Sequence, residues 1–216
     1  MPSTAVVRCG KYLLAVIAFW TGYCALMAAW PQLFDIPLLR ALVRVSVVLV
    51  PAVLYYLRGP RQESFVDYFQ LRPHWRKGLL VGGGVVLAYL LLGWLSGYRT
   101  NQSTFQIPQS FAVWFNFILG SPIAEETFFR GVLLKELSPL MGTARSIAVS
   151  SLAFALRHLP QWVILSHQSG LALLTSFATI FAYGVVFALL VTTTRSLWAS
   201  LLAHWVNNFV ALSLGQ

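Results

Sequence analysis

Long apolar runs separated by short polar stretches cover most of the chain. The runs lie near residues 12–30, 38–57, 78–97, 111–134, 145–160, 171–193 and 197–214. Each has roughly the length that an α-helix needs to cross the hydrocarbon core of a bilayer, about 20 residues. Because polar residues interrupt the fifth run, residues 161–169 either extend that helix or form a re-entrant turn. The pattern predicts an all-α fold, a polytopic transmembrane helix bundle of about seven or eight helices.

Composition supports a membrane protein. Of 216 residues, 58% are hydrophobic and 10% are charged, whereas soluble domains carry about 25% charged residues. The mean hydropathy is +0.72. The excess of 15 Lys and Arg over 6 Asp and Glu is typical of basic residues in cytoplasmic loops. The predicted partner is therefore the lipid bilayer, and no nucleic acid is expected.

The chain is predicted to form one integral membrane domain. The loop 58–77 is the only sizeable extramembrane piece and is too short for a domain of its own. Residues 1–110 supply the N-terminal transmembrane helices, and residues 111–216 supply the helices with polar motifs. The first run lacks a convincing small-residue cleavage site, so we interpret it as a retained span rather than a signal peptide.

Loop charges predict the orientation. With a cytoplasmic N-terminus, only Arg99 falls in an outer loop, while Arg40 and Arg44 lie near the outer end of the second span, against the pattern. The basic residues on the inner side would be Arg8, Lys11, Arg58, Arg61, Arg72, Arg76, Lys77, Lys135, Arg145 and Arg195. This asymmetry favours an N-terminus inside the cell.

Two adjacent carboxylates, Glu125 and Glu126, lie in the middle of the fourth run. A charged side chain at the bilayer centre costs about 2.5–3.5 kcal/mol on insertion scales, and such residues usually mark functional sites. Glu126 and Arg130 are four residues apart and share a helix face, which predicts an ion pair, while Glu125 points elsewhere. We therefore expect Glu125→Gln to preserve the fold and Glu126→Gln to leave Arg130 unpaired.

Further polar residues interrupt two other helices. His158 lies in the fifth run, and His204 and Asn208 share a face of the last. Because each would be costly against lipid, we expect them to meet in an intramembrane polar cavity. There a carboxylate beside an imidazole can deprotonate water, and a second histidine with an amide can donate hydrogen bonds to an oxyanion. No GxSxG motif offers a competing nucleophile.

Three motifs carry a family resemblance. They are EExxxR at 125–130, FxxxH at 154–158 and HxxxN at 204–208, each in an apolar helix. Their order and spacing resemble the CPBP family of intramembrane endopeptidases, also called the CAAX-protease and bacteriocin-processing or ABI family, which includes Rce1-type prenyl-protein proteases. The resemblance covers about residues 111–209, so that residues 111–216 would hold the catalytic helices.

The resemblance implies a glutamate-type endopeptidase without a cofactor. Glu125 and His158 would activate water, and His204 with Asn208 would form the oxyanion side. Glu126 would belong to the catalytic set with these four residues. Arg130 would order Glu125 and Glu126, and Phe154 would have a structural or orienting role. The substrate would be a peptide or a membrane-anchored protein, cleaved in peptide maturation or C-terminal signal removal. The short chain is expected in a bacterial inner membrane.

Three alternatives remain open from the residues. A metalloprotease would use Glu125, His158 and His204 as zinc ligands, although the chain has no HExxH motif. A non-catalytic scaffold or immunity protein would keep the fold without the chemistry. A transporter would use Glu125 as a proton relay, but this hypothesis gives His204 and Asn208 no role.

Overall fold

The computed structural model describes residues 4–59, 63–99 and 110–213. These residues form helices and turns and contain no strand, so the predicted all-α fold is confirmed. Arg61, the stretch 100–109 and the last residues of the predicted seventh span lie outside the described ranges. The eight helices of the described part are α1 (Thr4–Ala29), α2 (Pro37–Arg58), α3 (Phe65–Tyr68), α4 (Trp75–Arg99), α5 (111–141), α6 (Thr143–Leu165), α7 (Gly170–Thr194) and α8 (Leu197–Ser213).

Five of these helices are long and apolar enough to cross a membrane. They are α1, α2, α6, α7 and the part of α4 from Trp75 to Leu95. They coincide with five of the predicted runs, although α1 begins eight residues before the first run. Residues 161–165 extend the fifth run as helix. The other two predicted spans also coincide with helices, but α8 has 17 residues and α5 is divided into shorter segments.

Helix α5 contains two π-helical segments between α-helical ones. A π-helical segment, Trp114–Gly120, precedes the α-helical segment Ser121–Phe128, and a second π segment, Phe129–Leu134, follows it. The first π segment ends just before Pro122, which has no N–H to donate to the backbone hydrogen-bond ladder. Such π segments occur frequently at functional sites. Both glutamates lie on the α-helical segment between the two.

Small residues let α4 and α8 pack closely. A Cβ on Gly82 would lie 2.9 Å from Leu202 Cδ1 and 3.2 Å from Ala199 Cα. Gly78, one turn earlier, faces Ser196 and Trp198 in the same way. Membrane helices commonly pack closely at small residues that lie four positions apart. This packing fixes α8, which carries two of the predicted site residues.

The loop between α2 and α4 is bound to the C-terminal part of α5. Lys135 Nζ donates to Glu63 Oε1 at 3.0 Å and to the Tyr68 carbonyl at 2.9 Å. The Tyr68 hydroxyl donates to Glu136 Oε1 at 2.6 Å. Burial and this hydrogen bond raise the pKa of Tyr68 above its usual value. Phe69 anchors the loop in the core that also contains Phe128 and Phe154.

Candidate active site

The two glutamates of α5 face different partners. Glu126 is 0% exposed, and its Oε1 accepts a hydrogen bond from Arg130 Nη1 at 3.0 Å. This is the ion pair that the four-residue spacing predicts. Glu125 is 3% exposed, and its Oε1 accepts from Arg157 Nη1 at 2.7 Å. Glu125 thus points away from Arg130, and α6 brings it a second arginine that spacing within one helix did not predict.

Arg130 joins α5 to α7. Its Nη2 donates to the carbonyl of Gly184 at 3.0 Å, and its guanidinium lies 4.4 Å from the centre of the Phe154 ring. A Cβ on Gly184 would lie 3.0 Å from Ser151 Cβ, so glycine lets α6 and α7 approach at this level. Arg130 thus orders Glu126 and also links three helices.

His158 has a defined donor and acceptor. Its Nδ1 lies 2.8 Å from the carbonyl oxygen of Phe154, one turn earlier on α6. Since a carbonyl can only accept, Nδ1 carries the proton, and Nε2 of the neutral ring is an acceptor. Arg157 Nη1 lies 3.4 Å from this Nε2. The ring also packs edge-to-face on Phe154, with centroids 4.9 Å apart.

His204 lies between the two glutamates. Its Nδ1 donates to Glu126 Oε1 at 2.9 Å, and its Nε2 lies 3.8 Å from Glu125 Oε2. The ring stacks on Phe187 of α7, with centroids 4.9 Å apart and planes at 21°. Glu126 therefore holds the imidazole orientation, and the second nitrogen points to the other glutamate.

Asn208 lies one turn further along α8. Its Nδ2 donates to the carbonyl oxygen of Phe117 at 2.6 Å, in the first π segment of α5. The side chain of Asn207 donates to Asn208 Oδ1 at the long distance of 3.5 Å. One N–H of the Asn208 amide is therefore occupied, and the second remains for another acceptor.

A cavity of about 100 Å³ joins these groups. It has room for more than one water molecule, since each occupies about 30 Å³ in the liquid. The residues that line it are Arg44, Phe117, Ser121, Glu125, Phe154, His158, Ile180, Tyr183, Phe187, His204, Asn207 and Asn208. The described lining includes Glu125 but not Glu126, which lies behind His204.

A second cavity, which we call the vestibule, adjoins the first. Its volume is about 210 Å³, and it shares Arg44 and Phe117 with the site cavity. Met27 near the end of α1, Pro37 at the start of α2, Ala112 at the start of α5 and Leu165 at the end of α6 line it. All four lie at the same end of the bundle, so the vestibule leads from the site to that end.

Sequence reasoning missed two arginines of the site. Arg157, next to His158, was expected only as a break in an apolar run, and Arg44 only as an exception to the charge rule. Spacing along one helix cannot show contacts between helices, and Glu125 and Arg157 are 32 positions apart. A usable signal existed, because a basic residue deep in an apolar run is as costly as an acidic one.

The zinc alternative requires three ligand side chains at one point. Within residues 4–59, 63–99 and 110–213, no three His, Cys, Asp or Glu side chains group closely enough to hold a metal ion. In the described part of the chain, Cys9 and Cys24 are free and buried, and both belong to α1, on which no predicted site residue lies.

Comparison with protein families identifies the C-terminal half. Residues 107–210 match the model of the Rce1-like family, described as type II CAAX prenyl endopeptidase Rce1-like. Comparisons with curated proteins and with solved structures gave no match. The matched region includes all three motifs and every described site residue except Arg44. Residues 107–210, just under half of the chain, are thus similar to the Rce1-like family, which implies a CAAX-type membrane protease in general.

Proposed function

We propose that the chain is a glutamate-type intramembrane endopeptidase in which Glu125 and His158 activate the attacking water. The position of His158 Nε2 is the main support. Nε2 accepts from Arg157 Nη1 at 3.4 Å, and Glu125 Oε1 accepts from the same nitrogen at 2.7 Å, so the carboxylate and the imidazole meet at one guanidinium nitrogen. A carboxylate and an imidazole placed together in this way can bind and deprotonate a water molecule. Both side chains line the same cavity.

In the proposed reaction, the water oxygen attacks the carbonyl carbon of the scissile peptide bond. Its proton passes to Glu125 or His158, and the carbonyl electron pair moves to the oxygen to form an oxyanion. When the oxyanion collapses, the C–N bond breaks and the proton is delivered to the leaving amine. The products are a carboxylate and an amine, so no cofactor takes part in the balance.

Glu126 has a different role in this proposal. It lies behind His204, accepts hydrogen bonds from Arg130 and from that imidazole, and so positions the ring beside Glu125. Asn208 has one free N–H for the oxyanion side. His204 donates through Nε2 only as an imidazolium, because the single proton of the neutral ring is on Nδ1.

We further propose that the N-terminus is cytoplasmic, on the charge asymmetry of the loops, and that this short chain lies in a bacterial inner membrane. Helix α5 then enters from the outer side. Its 31 residues would span about 46 Å at 1.5 Å per residue, so Glu125, near its middle, lies at the depth of the hydrocarbon core. The substrate would be a peptide or a membrane-anchored protein that reaches this depth.

A structural role for the paired charges is the competing proposal, because both glutamates are bound to arginines. To separate the two, cells with the wild-type chain or with Glu125→Gln are compared for peptide termini in their membranes by mass spectrometry. The matched control is Glu63→Gln, which also removes a glutamate bound to a basic residue but outside the site.

Proteolysis predicts termini that appear with the wild-type and Glu63→Gln chains and disappear with Glu125→Gln. Identical termini in all three strains would contradict the proposed activity and favour the scaffold.

A further inference from the structure

The buried site contains one more positive charge than its carboxylates neutralise. Arg130 pairs with Glu126 and Arg157 pairs with Glu125. Arg44 lines the same cavity, but no carboxylate among the described residues lies within 4 Å of it. All six acidic side chains of the protein belong to the described part of the chain. None of these six side chains therefore forms an ion pair with Arg44, and the guanidinium of Arg44 is the surplus positive charge of the site.

Arg44 also has few hydrogen bonds. Among the described residues its one acceptor is Gln161 Oε1, at the long distance of 3.5 Å, and its Nε is buried without a partner. The guanidinium lies 4.8 Å from the ring centre of Phe117 and 5.4 Å from that of Trp20. These rings hold the guanidinium in place and leave some of its N–H donors unused. A planar guanidinium with free N–H donors is suited to bind a carboxylate or another anionic oxygen.

Arg44 lies where the two cavities meet. On one side it faces the cavity with Glu125 and His158, and on the other it lines the vestibule. The usual donors beside the proposed water are largely occupied, since His204 Nδ1 is bound to Glu126 and Asn208 donates to Phe117. Arg44 is thus the lining residue with both a charge and free donors.

We propose that Arg44 binds a negatively charged oxygen of the substrate next to the scissile bond. This inference rests on the proposed peptidase function. The oxygen has two sources: the free C-terminal carboxylate of a substrate whose tail lies in the vestibule, or the oxyanion that forms during attack. Arg44 accepts no proton in either case, and its charge and N–H groups stabilise the anion.

The first arm measures binding without cleavage. The full-length protein is labelled with 5-fluorotryptophan in detergent, and the ¹⁹F signal of Trp20 is assigned with Trp20→Phe. The probes are N-acetyl-trileucine with a free carboxylate and its C-terminal amide, whose apolar side chains suit the largely apolar vestibule. For a carboxylate source, the acid shifts the Trp20 signal and the amide does not, and the shift disappears in Arg44→Gln.

The second arm measures catalysis on an internally cleaved peptide taken from the termini comparison. For an oxyanion source, Arg44→Gln lowers kcat by about 10²–10³-fold with little change in KM, the usual effect of losing one oxyanion donor. Arg44→Lys retains the charge and loses less. Arg76→Gln is the matched control, because Arg76 also stacks on a tryptophan, Trp75, at 5.3 Å, but outside the site.

Two results together would overturn the proposal. In the first, the acid gives no Trp20 shift that depends on Arg44. In the second, kcat of Arg44→Gln stays within about threefold of the wild-type value. The acid and amide comparison uses the wild-type chain, so it does not depend on the folding of a variant. If the protein binds the acid through Arg44 but cleaves no peptide, the anion site stands and the peptidase function fails. The two failures are therefore distinguishable.

Discussion

At the scale of single residues, the site is built from buried ion pairs between helices. Glu126 Oε1 accepts from Arg130 and from His204, so one oxygen holds a cation and an imidazole together. Glu125 is bound to Arg157 on one side and approaches His204 on the other. Removing one partner of a buried pair leaves the other charge uncompensated, which costs far more than the intact pair contributes.

Glu126→Gln is expected to lower stability and to leave partial activity. Arg130 is 0% exposed, and among the described residues Glu126 is the one carboxylate within 4 Å of it. The loss of stability therefore approaches the 3–5 kcal/mol typical of a broken buried pair. The melting temperature in detergent measures it. The control is Glu63→Gln, whose half-exposed pair with Lys135 is worth about 0–1 kcal/mol. Equal melting temperatures for the two variants would contradict this role for Glu126.

Metal removal is expected to leave the activity unchanged. The proposed water is activated by Glu125 and His158, and His158 Nδ1 is occupied by the Phe154 carbonyl. Cleavage of a peptide by the purified protein is measured before and after prolonged chelation. Loss of activity that zinc alone restores would support the metalloprotease alternative and contradict the glutamate mechanism.

At the scale of helices, hydropathy predicts positions well and winding poorly. Each predicted run coincides with a helix, because about 20 apolar residues have few other stable structures in a bilayer. The π segments of α5 were not predicted, since an apolar run shows no period. The pairs Glu126–Arg130 and His158–Phe154 follow from spacing within one helix. The contacts of Glu125 with Arg157 and of His204 with Glu126 join different helices and could not be predicted.

Gly131→Ala tests how α5 packs on the loop between α2 and α4. A Cβ at this position would lie 2.7 Å from Phe69 Cδ1. The Phe69 ring is itself packed against Tyr56, Phe65 and Tyr68, so it cannot move freely. We expect a loss of about 1–3 kcal/mol, as for other overpacked cores, measured by melting in detergent.

Gly83→Ala on α4 is the control for this substitution. No atom lies within 4 Å of the added Cβ, and alanine is the better helix former by about 1 kcal/mol. Its melting temperature should stay the same or rise. If both variants melt at the same temperature, the contact between Gly131 and Phe69 is not limiting for stability.

At the scale of the whole molecule, both cavities and the loop charges define two ends of the bundle. The vestibule lies at the end where α1 and α6 finish. The loop that contains Glu63 and Tyr68 lies at the other end, bound to α5 through Lys135. If the N-terminus is cytoplasmic, the vestibule faces the outer side and Arg40 and Arg44 belong to it. Their departure from the charge rule then reflects the site.

A topology reporter tests this orientation. A reporter inserted in loop 58–77 should give a cytoplasmic signal, and one inserted near Asn101 should give an external signal. A third insertion between α6 and α7, at residues 166–169, should give the same external signal as the second. Both positions lie at the end of the bundle that contains the vestibule. Opposite signals at all three positions would reverse the orientation and place the vestibule on the cytoplasmic side.

The role of Glu125 is the central claim, and the structure changes what its removal should do. Because Glu125 is bound to Arg157, Glu125→Gln is expected to lower the melting temperature as well as the activity, unlike the expectation from sequence alone. The kcat for peptide cleavage must therefore be measured well below the melting temperature of the variant. Glu126→Gln, with a comparable loss of stability, is the control for partial unfolding.

The decisive measurement is kcat of Glu125→Gln on a cleavable peptide under these conditions. Loss of a positioned general base predicts a fall of about 10²–10⁴-fold, well beyond the fall in Glu126→Gln. A folded Glu125→Gln protein with kcat within about threefold of wild type would contradict the account and leave Glu125 as the structural partner of Arg157.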